Sequence, residues 1–580
     1  MATSSASATL SSQTPQTTEI SNENSRKTRK EPLESMPEIL ESMIRERGDF
    51  RKARLAHIEG WRFLGGGLLI SSLEVTIIGT ALITISSHLG DFERSAWVVT
   101  TYLATYCAFV IVFARVSDIF GRRTTWLVAL GFFVLASVAC GAAQTMTQLI
   151  VFRALQGIGG GGLYALAMTV ATEVPGKLRA PINSILSSVF ALASAAGPLI
   201  GGAIATGTSW RWVFLLNVPI GVVVFIVSFI IFPTNPFPLS YSLEAYRRID
   251  YVGFFLSVGS IELLALSLQS GGVNYRWDSG SMIALLTITG CCWIAFFAWE
   301  MALSSKLWKS KALPIWPCNL FFRRIIGSGL LAALFSGIGF IAVIVYLPQR
   351  FQIQNGDPPI MAGVRMLAYL LVSSLFAGLA AVAVVFKNVL FPLMLFSSIM
   401  QIVGLGLLST LPTTVGIFPG QYGYQVILGI GFGIALSVLP LITRMEITLF
   451  DHAINMGAVT QSRLIGSLIG VGFGEIVLQS RLWTRLSTIL TPEELGLIRQ
   501  SMSNASKLSP YKHAAVQNEF GKDCNLIFRI CMYISIGCLL ATLLCYKRKP
   551  ISIKELEKTE STLATLEAQE IGETSRRGDC

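Results

Sequence analysis

Glu74 sits near the middle of an apolar run, Leu73-Glu74-Val75-Thr76-Ile77-Ile78-Gly79-Thr80-Ala81-Leu82, that is long enough to cross a bilayer. A carboxyl at that depth is costly and marks function by default. It can be a group held protonated or hydrogen-bonded inside a helix bundle, or a site for a proton or a cationic substrate. Removal from water favours the neutral form of a carboxyl, which suits a group that loads and releases protons. A second apolar run opens Phe152-Arg153-Ala154-Leu155-Gln156-Gly157. Arg153, Gln156 and Gly157 share one helix face, and an intramembrane arginine there needs a carboxylate or carbonyl groups. Arg463 interrupts another run and is a candidate for a transport cavity; Glu262 and Glu475 are weaker candidates. Arg463 and Glu475 are too far apart around a helix to pair directly. Glu300 ends its run and is expected to reach the surface. All four histidines lie at predicted ends, tails or loops, so a proton relay would have to use carboxylates.

Between two of the runs stands Ala114-Arg115-Val116-Ser117-Asp118-Ile119-Phe120-Gly121-Arg122-Arg123. Asp118, the turn at Gly121 and the pair Arg122 and Arg123 form a short loop whose ion pairs could exchange as helices rock. Simple anchoring explains part of the two arginines but not Asp118. Further on, Ala193, Gly197, Gly201 and Ala205 recur every four residues. Such a stripe lets a neighbouring backbone approach closely. Pro198 beside it has no N–H for the carbonyl of Ser194, so a bend or soft point is expected there.

The elements that must hold these residues follow from composition. Hydrophobic residues make up 52% and charged residues 14% of the 580-residue chain, and the mean hydropathy is +0.60. Soluble domains carry roughly a quarter charged residues. An all-α polytopic membrane protein is therefore expected, with about fourteen spans of roughly 20 residues. They fall near 62–86, 97–117, 124–143, 149–171, 183–205, 212–232, 251–269, 282–302, 326–346, 361–386, 388–410, 421–443, 455–479 and 526–546. The first sixty or so residues are polar and read as a disordered tail without a cleavable leader. Basic residues cluster in alternate loops, and Arg94, Arg211, Arg276 and Arg350 stand in the others. The positive-inside rule then puts both termini in the cytoplasm. The net charge of +11 is read as topology and contact with anionic lipid rather than as a nucleic-acid footprint.

Asn504-Ala505-Ser506 is a glycosylation sequon in the longest predicted outer loop, about 480–525. Most of the ten cysteines lie in predicted helices, and only Cys524 is expected near the outer surface. Neither a disulfide framework nor a metal-ligand spacing follows. The chain also has no GxxxxGK[ST] loop and no intramembrane His or His/Asp motif of a membrane enzyme.

On these residues the sequence resembles the major facilitator superfamily, and most of all its fourteen-helix drug:proton antiporter branch in fungi. Ser117-Asp118-Ile119-Phe120-Gly121-Arg122-Arg123 is similar to the family loop motif, with Ala114 in place of its leading glycine. Arg153 to Gly157 matches R-x-x-Q-G, the helix-four motif linked to proton coupling. Gly197, Pro198, Gly201 and Gly202 match the helix-five antiporter motif, with Ala193 for its first glycine. The first-helix motif has Glu74 where Asp is usual and Ile83 where Pro is usual. Stretches around Trp210–Phe214, Asn217–Gly221, Gln269–Gly272 and Tyr346–Pro348 also fit.

The resemblance implies a major facilitator fold with two six-helix bundles at 62–232 and 326–546. Two linker helices lie within 233–325, and tails at 1–61 and 547–580. Internal symmetry is faint: Lys387-Asn388, where an echo of the Asp118 loop is expected, has lost its acid and paired arginines. The implied activity is proton-coupled export of a secondary metabolite, toxin or drug by a monomeric plasma-membrane protein, driven by the proton gradient without a cofactor. A carboxylate in an aromatic cavity suits an amphipathic cationic or neutral molecule. A vacuolar basic-amino-acid transporter and a siderophore-iron transporter share the fold, while a sensor or membrane enzyme is more remote.

Overall fold

The computed structural model describes residues 65–548 apart from 174–175, 232–248, 273–274, 306–311, 313, 317–321, 387–388 and 445–451. Both tails, the basic pairs at 247–248 and 306–311, and Lys387-Asn388 lie outside the described residues. Long helices account for most of the rest. They are α1 (Gly65–Leu89), α2 (Ser95–Phe120), α3 (Arg122–Ala142), α4 (Met146–Glu173), α5 (Gly176–Gly207), α6 (Asn217–Ile231) and α7 (Tyr251–Ser270). Then come α8 (Gly280–Ser304), α9 (Arg324–Ile353), α10 (Pro359–Phe386), α11 (Leu390–Leu408), α12 (Gly420–Arg444), α13 (His452–Val477) and α14 (Pro510–Leu544).

Twelve helices among the described residues are long and apolar enough to cross a membrane. The expected count of about fourteen is not reached on that criterion, because α5 and α13 fall outside the twelve. Only Leu192–Gly207 of α5 is scored, as a shorter apolar helix, and α13 carries Asn455, Gln461, Arg463 and Glu475. In α13 these polar residues, which serve a bundle interior, dilute the apolar signal that identifies a span; in α5 most side chains before Leu192 lie outside the described residues.

Burial sorts the helices. In α1 and α9, 83% of the spanning window is buried, against 17% in α8. Two packing sets follow the same plan. In the first, α4 packs on α2 and α3, and α6 on α3; in the second, α12 packs on α10 and α11, and α14 on α11. The sets meet where α5 packs on α10 and α2 on α13, and the pair α7–α8 lies against α2 and α13.

At the end that carries the turn after α1, the two sets are locked. Phe92 N donates to Arg499 O (3.1 Å), Gln479 Nε2 to Glu93 O (3.0 Å), Gln352 Nε2 to Thr80 O (3.0 Å) and Ile360 N to Thr206 Oγ1 (3.2 Å). Toward the opposite end, α2, α4 and α13 leave a small, partly open apolar pocket lined by Val110, Ala114, Tyr164, Met168, Met456 and Thr460.

The sixth span runs as Trp212–Ile230, with Leu216, between the one-turn helix Trp212–Leu215 and α6, keeping helical φ and ψ of −58° and −32°. Several local expectations change. The stretch 480–525 is not an open loop: it holds a capped helix, Pro492–Gln500, and the first turns of α14. Arg350 is buried within α9, where Leu411 O, Pro412 O, Gly521 O and Asn525 Oδ1 accept its hydrogen bonds. Cys524 is buried in α14. Glu300 does not reach the surface: its side chain is fully buried and accepts from Trp316 N (3.0 Å). Its other oxygen and Asp250 Oδ2, both without a hydrogen-bond partner, converge beside Gly253. A chain segment folded back over the end of α8 supplies what water would have supplied at the interface.

Candidate functional site

The run Gly157 to Gly162 brings α2, α3 and α4 together. A Cβ at Gly157 would overlap Thr105 and the carbonyl of Tyr102, one at Gly161 would lie 2.5 Å from Tyr106 O, and one at Gly159 would lie 2.6 Å from Phe133 N. Only glycine permits that approach on both faces of α4. The close packing leaves Arg153 and Gln156 pointing into a sealed space between α1, α2 and α3.

There Arg153 Nη1 meets Glu74 Oε1 in an ion pair whose two side chains are 1% and 0% exposed. The guanidinium keeps other partners too. Nε donates to Val98 O (3.0 Å), Nη1 to Gln156 Oε1 (2.7 Å), and its carbon lies 4.1 Å from the centre of the Tyr102 ring. Gln156 Nε2 donates in turn to Ser137 Oγ (2.9 Å) on α3. Glu74 Oε2 accepts from Asn217 Nδ2, at the first position of α6. A desolvated ion pair of this kind is held by surrounding hydrogen bonds as much as by charge, and removing either partner strands the other.

Sequence reasoning placed Asn217 in a family-like stretch without giving it a role. The available signal was a lone amide in a run that is otherwise strongly apolar. Ser137 gave no such signal, because serine hydroxyls in membrane helices commonly bond to their own backbone, as Ser137 Oγ does to Phe133 O.

From this pair a row of rings leads toward α13. The centroids of Tyr102 and Tyr106 are 5.6 Å apart and those of Tyr106 and Tyr164 6.1 Å. Arg463 Nη2 donates to Tyr164 Oη at 3.3 Å, and its guanidinium lies 5.9 Å from the Phe190 ring of α5. Arg463 therefore stands at the meeting of the two packing sets, next to the pocket. Glu475 does not pair with it; Glu475 Oε1 accepts from Gln479 Nε2 (2.6 Å) near the locked end. Glu262, on α7, has a buried oxygen without a partner.

The helix-five residues form a seam with two faces. A Cβ at Gly197 would overlap Thr76 Oγ1, and one at Gly201 would overlap Ile77 O, so this face closes on α1 within three residues of Glu74. On the other face, a Cβ at Gly202 would lie 2.5 Å from Pro359 O, and one at Gly363 would run into Pro198 O. Thr80 Oγ1 donates to that same Pro198 carbonyl at 3.1 Å. The helix runs through Pro198 unbroken as Gly176–Gly207.

The Asp118 loop lies at the opposite end. Gly121 links α2 to α3 with φ +85° and ψ +152°, a backbone state open to glycine alone. Arg122 donates to Ala114 O (3.3 Å) and Ser117 Oγ, and Arg123 to Phe229 O (2.7 Å). The side chain of Asp118 lies outside the described residues. Asn504 sits in a 3₁₀ turn, Met502–Lys507, where its Nδ2 donates to Leu497 O (2.9 Å).

Comparison with known proteins decides the family. The model of the Major Facilitator Superfamily matches residues 64–471. The chain belongs to that superfamily. It is 36% identical over 509 residues to the MFS-type transporter FPY5 of Fusarium mangiferae, covering 85% of both chains. It is 32% identical over 435 residues to the efflux pump dotC of Dothistroma septosporum, covering 74% of this chain and 72% of that one. A solved bacterial homolog of the human lysosomal transporter Spinster, titled as inward-facing and occupied, superposes with a TM-score of 0.59. It is 13% identical and covers 84% of this chain and 96% of its own, a likeness of fold. This major facilitator protein is thus a multi-pass membrane transporter, and members of the superfamily carry small molecules across the bilayer.

Proposed function

We propose that this transporter exports a small organic molecule in exchange for protons, by rocking its two six-helix bundles around a site near the bilayer midplane. The sealed pair of Glu74 and Arg153 carries the proposal. When Glu74 takes a proton, Arg153 loses its counter-charge but keeps Val98 O, Gln156 Oε1 and the Tyr102 ring. Two arrangements of the same side chains are therefore available, one for each protonation state, and a coupled pump needs such a two-state element. Thr76 and Thr80 connect Glu74's own helix to the α5 seam and, through Pro198 O, to α10. The efflux direction draws on relatives such as the efflux pump dotC.

The remaining assignments follow the same reading. α5 and α13 cross the membrane along with the twelve apolar helices, since both are longer than the roughly 20 residues a span needs. Both termini then lie on the cytoplasmic side of a plasma membrane, and the locked end faces outward. Asp118, Gly121, Arg122 and Arg123 gate the inner end, and Asn504 accepts a glycan. The transporter acts as a monomer with the proton gradient as its energy source.

The test has two stages. Mass spectrometry of cells and medium under overexpression identifies the exported compound. Proteoliposomes with an imposed pH gradient then move that compound with the native chain and not with Glu74→Gln, at equal protein content. Unchanged transport by Glu74→Gln overturns the assignment of Glu74.

A further inference from the structure

The charges that line the meeting of the two bundles reverse the expectation of a cationic substrate. Glu74 is not free to recognise a cation, since Arg153 and Asn217 occupy its two oxygens. Glu262, on α7, lies toward Cys107, which contacts Gln461 of α13, but it does not line the pocket. Among the described side chains, Arg463 is the charge that stands beside the pocket. It is half-buried in α13, one turn from Thr460 and two from Met456, both of which line the pocket. Its one hydrogen-bond partner among the described side chains is the hydroxyl of Tyr164, itself a pocket residue.

Among the described residues, the arginines buried more deeply than Arg463 are matched. Arg153 has Glu74, Arg365 has Asp357, and Arg350 is saturated by three carbonyls and Asn525. A guanidinium has five N–H donors in a planar fork that fits a carboxylate or phenolate oxygen. Arg463 has most of that fork unspent. Around it stand the rings of Tyr106, Tyr164 and Phe190, with Met168 and Met456 in the pocket wall. Rings and thioethers favour a flat, polarisable body.

We propose that the transported molecule is an aromatic or polyunsaturated acid, a carboxylate or acidic phenol, whose anionic oxygen pairs with Arg463 while its body lies against Tyr164, Met168 and Met456. This deepens the export reading and rests on it for the direction of transport, but binding itself needs no gradient. Such an anion meets a partner that is otherwise uncompensated in a low-dielectric site. An amine of the same shape meets repulsion there.

The experiment measures equilibrium binding to the full chain in lipid nanodiscs by fluorescence titration. Its three probes share one ring system: anthracene-2-carboxylate, its methyl ester, and 2-(aminomethyl)anthracene. The carboxylate is expected to bind about tenfold or more tightly than the ester and the amine. Arg463→Gln should bring the carboxylate down to the affinity of the ester while the ester itself is unchanged, which also shows that the variant is folded. Arg463→Lys, which keeps the charge, should retain most of the preference. Equal or tighter binding of the amine, or carboxylate binding unaltered by Arg463→Gln, overturns the proposal. A chain that binds the carboxylate through Arg463 but fails to move it on a pH gradient upholds the site and counts against proton-coupled export.

Discussion

Helices α5 and α13 are built on the same plan and used differently. Gly197 and Gly201 close on Thr76 and Ile77 of α1; Gly466 and Gly470 close on the carbonyls of Leu334 and Ile338 of α9. Both seams let a central helix come within backbone contact of its partner. The residues three before the first glycine differ: Ser194 in α5 and Arg463 in α13. The residue after it differs too. Pro198 in α5 accepts from Thr80 Oγ1 and packs its carbonyl against Gly363 of the other bundle, while Ser467 in α13 turns its hydroxyl back to Arg463 O (3.1 Å). A small-residue stripe is therefore a requirement of the fold in both halves and does not by itself argue for export. What distinguishes the halves is where the charge sits and which seam clasps the opposite bundle.

The largest effect should come from breaking the charge pair of the first half. Arg153→Ala leaves the Glu74 carboxylate buried without its counter-ion, and such single deletions cost about 3–5 kcal/mol. Thermal unfolding in nanodiscs should show a large fall in Tm. The double change Glu74→Gln with Arg153→Gln should recover much of it without restoring transport. Arg463→Gln, which strands no carboxylate among the described residues, should cost far less stability. If it costs as much as Arg153→Ala, the contrast between the halves fails.

Next in size are the seams. A Cβ at Gly201 would overlap Ile77 O, and one at Gly470 would overlap Ile338 O, with fixed backbone in both cases. Gly201→Ala and Gly470→Ala should each destabilise by roughly 1–3 kcal/mol, the usual cost of overpacking. Similar Tm losses would support a shared architectural role. A loss confined to Gly201→Ala would return that seam to a special place in coupling.

Much of this was legible before any coordinates. Glu74, Arg153 and Gln156 stood out because polar groups in apolar runs are rare, and the structure brings all three together. The C-terminal echo of the α5 seam was not legible. Its stripe, Gly466 and Gly470, sits in a helix whose Arg463 and Glu475 drew attention to charge instead. Arg350 was misplaced because a positive residue near a predicted helix end reads as a loop cation, whereas α9 runs on to Ile353. Glu300 was misplaced because the segment that covers it, around Trp316, folds back from beyond the end of its helix. In each case a tertiary partner, rather than local pattern, decides where a charge ends up.

A smaller and more specific change is expected where α5 clasps the other bundle. Gly202→Ala places a methyl 2.5 Å from Pro359 O and 2.8 Å from Ile360 Cα, both across the bundle boundary. Unlike Gly201→Ala, it should disturb the locked end more than the fold of either bundle. Cysteine introduced at Ser503, which contacts Ser87 across that end at 3.1 Å, reports on the lock. Its rate of modification by a membrane-impermeant maleimide should rise about several-fold in Gly202→Ala, while Tm changes little. An unchanged rate would mean that the hydrogen bonds from Gln352, Gln479 and Ile360 hold the end shut without the glycine contact.

The smallest effect should come from an exposed pair that contrasts with Glu74 and Arg153. Thr491 and Glu494 form a reciprocal cap at the start of the helix Pro492–Gln500, and Lys512 Nζ donates to both oxygens of Glu494 at 2.8 and 2.7 Å. The Lys512 hydrogen bond, followed by that from Thr491 N, holds the Glu494 carboxyl below its usual 4.5. A carboxyl whose folded value is lowered stabilises the fold above the unfolded value, and that contribution is lost as pH falls through the folded one. Glu494→Gln should therefore lower Tm slightly at pH 7, and the difference should close as pH falls below 4.5. High salt should shrink it as well, because solvent ions reach this pair. Salt should leave the penalty of Arg153→Ala unchanged, since water and ions do not reach its site. Equal salt sensitivity of the two variants would mean that the α1–α4 pair is not sealed as the structure has it.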